Sequence, residues 1–264
     1  MFITSPQHFI RKPQKIISLV PSQTELLHYF GLDNEVIAIT KFCVHPDEWF
    51  KNKIRVGGTK SINIDLIKKL QPDLIIANKE ENKKEQIEEL ATEFNVWITD
   101  VNTLKDALAM IKDVGELTHK EKESETLITR IKDEFYQLQT SNQKLQTCYL
   151  IWQKPFMTVG GDTFINDMMK YCSLQNIFET RNRYPEITLD DLHIANPPAG
   201  RQGCQLVLLS SEPYPFKQKH VDELQMQLPG KKIILVDGEM FSWYGSRLLQ
   251  APEYFKTLMK QLEI

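Results

Sequence analysis

Long apolar runs are missing from this chain of 264 residues. Stretches such as Ile233 to Val236 and Leu206 to Leu209 stop at four residues, whereas a membrane-spanning helix needs about 18 or more. The first residues, Met1 to Pro13, carry Arg11 and Lys12 but no apolar core of about 7–15 residues and no Ala-x-Ala-like cleavage site, so no export signal is expected within them. Cysteine is sparse. Cys43, Cys148, Cys172 and Cys204 stand far apart with no Cys-x-x-Cys, which argues against a zinc finger or a thioredoxin-like redox pair and does not decide the redox compartment. Charge of one sign is also lacking. The formal net charge is −3 with Lys and Arg scattered, so there is no basic footprint for a nucleic-acid backbone. Catalytic signatures are absent too: no Gly-x-Ser-x-Gly elbow, no His-Glu-x-x-His, and no glycine-rich cofactor loop after a strand. Gly57-Gly58-Thr59 and Gly160-Gly161-Asp162 lack the Lys-Ser/Thr ending of a phosphate loop and read as tight turns.

What remains is an ordinary globular composition, 41% hydrophobic and 25% charged, long enough to bury roughly three quarters of its unfolded surface as one large domain or two lobes. β-Branched runs recur at Ile16 to Val20, Val36 to Thr40, Leu74 to Ala77 and Val96 to Thr99, separated by helical or loop segments, which is the alternation of a parallel α/β sheet. Ser22-Gln23-Thr24-Glu25 has capping-box spacing, so a helix is expected right after the first strand. Ile87, Leu90, Ala91 and Phe94 fall on one face and predict a helix over 83–94.

Between Thr103 and Gln143 there is no proline and the only glycine is Gly115. Leu127, Ile128, Ile131, Phe135 and Leu138 form one stripe, predicting a helix over 118–141 that would run about 35 Å. Strands restart at Cys148 to Trp152, Leu206 to Ser210 and Ile233 to Val236, with helical segments over 164–171, 217–227 and 250–262. The expected fold is therefore α/β, with two Rossmann-like lobes, 1–117 and 144–264, joined by a single long backbone helix over 118–143. The turn-rich stretch from Ala195 to Cys204 is expected to be an exposed loop.

Ligands of open parallel sheets bind beyond the carboxyl ends of the strands. The residues in those places are aromatic and polar: Phe42, Cys43 and His45; Asn78 to Glu81; Trp152; Tyr214; and Glu239, Phe241, Trp243 and Tyr244. Such a set suits a large, flat ligand with polar edges, although core packing explains any one aromatic equally well. Cys43 and His45 are read first as packing and hydrogen-bonding residues, with metal ligation as the alternative; no other nucleophile and base lie so close in sequence.

The run from Lys15 to Leu27, Gly57-Gly58-Thr59, Leu70 to Ala77, Gly160-Gly161, Asn176 to Phe178, Tyr184-Pro185 and Leu235 to Gly238 together resemble the class III periplasmic binding proteins over nearly all of 15–262. The resemblance implies two α/β lobes on a helical backbone. It implies a corrinoid or related metal chelate held between them, and delivery to the permease of an ABC importer by a protein that is not an enzyme. It implies that Phe42, Tyr184 and the Trp152 region face the ligand, with the loop from Glu239 to Trp243 closing the other side. Where corrinoid binders carry a tryptophan, this chain has Asn78. It further implies a carboxylate on each lobe for gripping permease arginines, matched by Glu81 or Glu85 and by Asp190. No permanent cofactor is expected, the protein is expected to be a monomer, and the periplasm or outer face is the implied location, with the cytoplasm open because no signal is seen. Two other readings stand beside it: a cytoplasmic protein or enzyme that handles metal-tetrapyrroles through Cys43 and His45, and a siderophore or metal-ion receptor on the same scaffold. The stretch over 197–203 departs from the family as an insertion.

Overall fold

Short β-branched runs bury both faces only when helices cover them, and the chain solves this with parallel sheets flanked by helices. The computed structural model describes residues 1–3, 5–6, 9, 11–139, 144–193 and 203–263. All of the stretch expected as an insertion, 197–203, except its last residue, and most of the turn-rich loop lie outside them. Two compact units result. The first comprises Met1–Val101, Lys105–Asp133 and Trp243–Leu249; the second comprises Asn102–Leu104, Glu134–Ser242 and Gln250–Ile264.

In the first unit, strands β1 (Phe2–Ile3), β2 (Ile16–Ser18), β3 (Val36–Ile39), β4 (Ile54–Arg55), β7 (Leu74–Asn78) and β8 (Val96–Thr99) form one sheet in the order β1-β8-β7-β2-β3-β4, with every pair parallel. A two-stranded hairpin, β5 (Gly57–Gly58) with β6 (Ser61–Ile62), stands apart. Helices α1 (Pro21–Tyr29), α2 (Asp47–Asn52), α3 (Ile64–Leu70) and α4 (Lys84–Glu93) connect the strands. The predicted face Ile87, Leu90, Ala91 and Phe94 packs on Ile17, Ile75 and Val96 in one buried cluster.

The capping box is not formed. Helix α1 begins at Pro21 with Val20 as its cap residue and no side-chain cap bond, because proline at the first helical position needs no donor partner and presets φ. Glu25 is thereby left on the helix surface.

The helix expected over 118–141 is α6 (Glu121–Tyr136), shorter at both ends, and a separate helix α5 (Leu104–Thr118) precedes it. His119 takes a left-handed conformation at φ 56, Lys120 N–H bonds the Gly115 carbonyl at 2.7 Å and His119 N–H that of Glu116 at 3.4 Å, which is a Schellman closure. Gly115 permits the sharp return: a Cβ there would stand 2.4 Å from Ser124 Oγ. The stripe itself is where it was expected, with Leu127, Ile131 and Phe135 buried. The division between the two units falls within α6.

In the second unit, β9 (Leu145–Trp152), β10 (Phe156–Thr158), β12 (Glu186–Ile187), β13 (Leu206–Ser210) and β14 (Lys232–Val236) are ordered β12-β10-β9-β13-β14, with β11 (Leu174–Asn176) beside β9. The β9, β13 and β14 pairs are parallel, while β10 is antiparallel to both neighbours. Helices α7 (Phe164–Tyr171), α8 (Leu189–His193), α9 (Gln218–Gln227), α10 (Glu239–Ser242) and α11 (Ala251–Leu262) complete it. Its core gathers Leu150, Val207, Leu209, Phe216 and Leu224.

Candidate functional site

In the first unit the sequence Thr40 to His45 follows β3, with Thr40 and Cys43 buried and Lys41, Phe42 and Val44 exposed. Phe42 is 51% exposed and Val44 40%, while Cys43 between them is fully buried. The inward residue is the anchor. The Cys43 thiol lies 3.1 Å from the Thr24 hydroxyl and 3.2 Å from that of Thr40, and the Thr24 hydroxyl also reaches the Val20 carbonyl at 2.9 Å. Burial pushes the thiol above its ordinary range, with those hydroxyl contacts opposing. Cys43 is therefore a protonated packing residue whose sulfur faces the interior.

The segment Trp243–Leu249 belongs to this unit. Arg247 grips Glu25 with both prongs, Nε to Oε2 at 3.0 Å and Nη2 to Oε1 at 2.7 Å, across 222 residues of sequence. Its guanidinium lies 5.0 Å over the Trp243 ring, and Trp243 meets the His45 ring edge-on at 5.4 Å. Tyr244 is buried against Gln23 and Ser22, and burial drives its phenol far above the usual range. The Glu25–Arg247 pair thus seats Trp243 and Tyr244 beside the Phe42 loop, a fork geometry that arginine favours.

Asn78 ends β7 and is buried. Its Oδ1 accepts from the N–H groups of Glu80 at 2.8 Å and Glu81 at 3.2 Å. Its Nδ2 donates to both the carbonyl and the hydroxyl of Thr99 at 3.1 Å. The amide is used up in shaping the acidic turn. Glu81, on that turn, is half-buried; loss of hydration raises its pKa, neighbouring Glu80 adds to the rise and Lys60 opposes it. Glu85 is exposed in the first turn of α4.

In the second unit Trp152, the last residue of β9, is 40% exposed and meets Tyr214 edge-on at 5.5 Å. Tyr214 is braced on three sides: its hydroxyl donates to Gln153 Oε1 at 3.0 Å, its ring packs on Phe216 at 4.7 Å, and His220 lies 5.5 Å away. His220 is buried, with Nδ1 accepting from Lys217 N–H at 2.8 Å; this assigns its proton to Nε2, which faces the Tyr214 hydroxyl at 3.5 Å.

Glu239 opens α10, its N–H bonded to Asp237 Oδ1 at 3.0 Å. Phe241 points inward, fully buried against Tyr149 at 5.2 Å and Phe255 at 5.0 Å. Tyr184 is half-buried on a loop tied down by the Gly160 N–H to the Arg183 carbonyl at 2.6 Å and the Thr158 N–H to the Pro185 carbonyl at 3.0 Å. Asp190 is exposed in the first turn of α8.

The structure thus gathers Phe42, Cys43, His45, Trp243 and the Asn78 to Glu81 turn in the first unit. Trp152, Tyr214, Tyr184, Glu239 and Phe241 belong to the second. Sequence reasoning missed Arg247 and Glu25, whose only signal was a charged residue of each sign in otherwise apolar surroundings, and His220, which reads as an ordinary helix residue. Among the described residues no group of three or more His, Cys, Asp or Glu side chains is placed to hold a metal ion, and no helix is long and apolar enough to cross a membrane.

Paired α/β units with aromatic and polar loops after their parallel strand ends define a class of ligand-binding protein. The chain belongs to the periplasmic binding protein family, whose sequence model matches residues 16–206. It is similar to the vitamin B12-binding protein of Pectobacterium atrosepticum, 24% identical with 96% of this chain and 90% of the relative covered. The fold is similar to that of the periplasmic vitamin B12 binding protein BtuF of Vibrio cholerae, with a TM-score of 0.75 at 22% identity, covering 95% of this chain and 98% of the other. The periplasmic heme binding protein HutB of the same organism has a TM-score of 0.77 at 16% identity, covering 95% and 99%.

Proposed function

We propose that this protein is the substrate-binding component of an ABC importer that captures a corrinoid or related metal chelate and delivers it to a permease on the outer side of the membrane. The observation that carries the reading is an exposed aromatic at a strand end in each unit: Phe42 after β3 and Trp152 ending β9, the second backed by Tyr214. Both rings stand after parallel strands, where ligands of such sheets bind, and a flat ligand would bury their exposed faces. In the first unit His45 and Trp243, and in the second Tyr184 and Glu239, are the proposed polar and aromatic ligand contacts. Cys43 and Asn78 act from behind, as anchor of the Phe42 loop and shaper of the acidic turn. Phe241 fixes α10 from the core. The names of the relatives and structural neighbours, which speak of vitamin B12, heme and Fe3+-hydroxamate, support a metal chelate as the ligand class.

Glu81, Glu85 and Asp190 are the proposed permease contacts, and the protein acts as a monomer by binding rather than catalysis. Titration of the purified protein with cyanocobalamin, haem and a ferric siderophore, followed by tryptophan fluorescence and calorimetry, tests the ligand. Saturable one-to-one binding of one of them is expected; no binding by any contradicts the proposal. Reversal of Glu81, Glu85 and Asp190 to Lys is expected to abolish association with the cognate permease and leave ligand affinity unchanged. Loss of ligand affinity instead would place these acids in the site.

A further inference from the structure

Lys41 precedes the exposed Phe42, and its position is fixed at both ends. Its backbone N–H bonds the Gly57 carbonyl at 2.8 Å. Its side chain and the Phe42 ring share the space left by the missing side chain of Gly58: a Cβ there would stand 3.1 Å from Phe42 Cε2 and 3.2 Å from Lys41 Cε. The ammonium rests 5.1 Å from the Phe42 ring centroid. Three other basic groups of this unit are engaged in the fold. Lys60 donates to the Glu80 carbonyl, Lys79 pairs with Asp100 at 2.6 Å, and Arg247 pairs with Glu25. Among the described residues, no carboxylate pairs with Lys41.

We propose that Lys41 is a specificity residue, its ammonium receiving a carboxylate or phosphate on the rim of a chelate that stacks on Phe42. The inference rests on the binding-protein reading above and narrows its ligand to one with an anionic edge. The argument is one of desolvation. Any ligand that covers Phe42 also strips water from an ammonium held over the same ring, and an unpaired charge so treated opposes binding. A ligand with an anion at that edge converts the penalty into a charge-assisted contact. A neutral ligand leaves the penalty standing, and a cationic one adds repulsion. The weak attraction between ammonium and ring holds the cation in place in the empty protein without neutralising it.

The test uses two ligand pairs that differ in the anion: haem against its dimethyl ester, and cyanocobalamin, which carries a phosphodiester, against dicyanocobinamide, which lacks it. Affinities are measured for the wild-type chain, Lys41→Met and Lys41→Arg, each checked by its melting curve. For the pair that binds, the wild type is expected to prefer the anionic member. Lys41→Met is expected to weaken that member about fivefold and leave the neutral one unchanged, and Lys41→Arg is expected to restore the preference. The same preference in wild type and Lys41→Met overturns the inference while the receptor reading stands. Failure of all four ligands to bind overturns the inference, and the receptor reading falls with it only if a ferric siderophore also fails to bind.

Discussion

The two units present an aromatic side chain at a strand end by different physical means. In the first, Phe42 is displayed by a polar interior: the buried Cys43 thiol and the Thr24 and Thr40 hydroxyls pin the loop from below, and a glycine hairpin forms the bed. In the second, Trp152 stands on a stack of rings, Tyr214 with Phe216 and the buried His220. A hydrogen-bonded anchor fixes the backbone and leaves the ring exposed, whereas an aromatic stack fixes the ring itself. The loop of the first platform should therefore keep its place without the ring and fail when its backbone is disturbed. The second should lose the setting of Trp152 when one of the rings beneath it is removed.

Gly57→Ala is the hardest test of that contrast. Gly57 has φ +98 and a Cβ there would stand 2.4 Å from the Ser61 carbonyl oxygen, so the substitution is expected to cost about 2–3 kcal/mol in chemical unfolding and to disrupt the seat of Phe42. Cys43→Ala, which removes a buried sulfur and leaves two hydroxyls short of a partner, is expected to cost about 1–2 kcal/mol and weaken ligand binding through the loop. His220→Ala removes the acceptor of the Lys217 N–H and one brace of Tyr214, with an expected cost of about 1 kcal/mol. Its signature is altered Trp152 fluorescence, which a purely structural loss elsewhere would leave alone. If Cys43→Ala and His220→Ala act equally on both platforms, the contrast drawn here fails.

The smallest effect concerns pH. Burial raises the Glu81 pKa, so the folded state holds that proton more tightly than the unfolded chain. The associated stability is present below the unfolded pKa and is lost as pH rises through the folded one. Glu81→Gln keeps a neutral group at every pH and is expected to raise Tm by about 2 °C near pH 7, the gain shrinking as pH falls toward about 4. A gain that grows in acid would reverse the assignment.

Much of the fold was legible because β-branched runs leave few alternatives: β8 and β13 occupy the residues expected from sequence, as does α7. The start of α6 was placed three residues early, because the left-handed residue that closes α5 is His119, where a glycine would have announced the turn. The return of residues 243–249 to the first unit was equally hidden, since its anchor joins residues 222 apart. At the site, position after a strand marked the right segments but could not separate outward from inward side chains. Phe42 and Phe241 look alike in sequence, yet one is 51% exposed and the other fully buried. Only the packing of Cys43, in one case, and of Tyr149 and Phe255, in the other, decides which ring is exposed.

The central claim is that Phe42 and Trp152, each exposed at a strand end of its own unit, contribute to ligand binding. Its most direct test is the affinity of Phe42→Ala, Trp152→Ala and the double variant for whichever of cyanocobalamin or haem binds the wild type. Each single change is expected to weaken binding by about 1–2 kcal/mol with melting curves unchanged, and the double variant to lose most of the affinity. A variant lacking either ring that binds as tightly as the wild type would contradict the account.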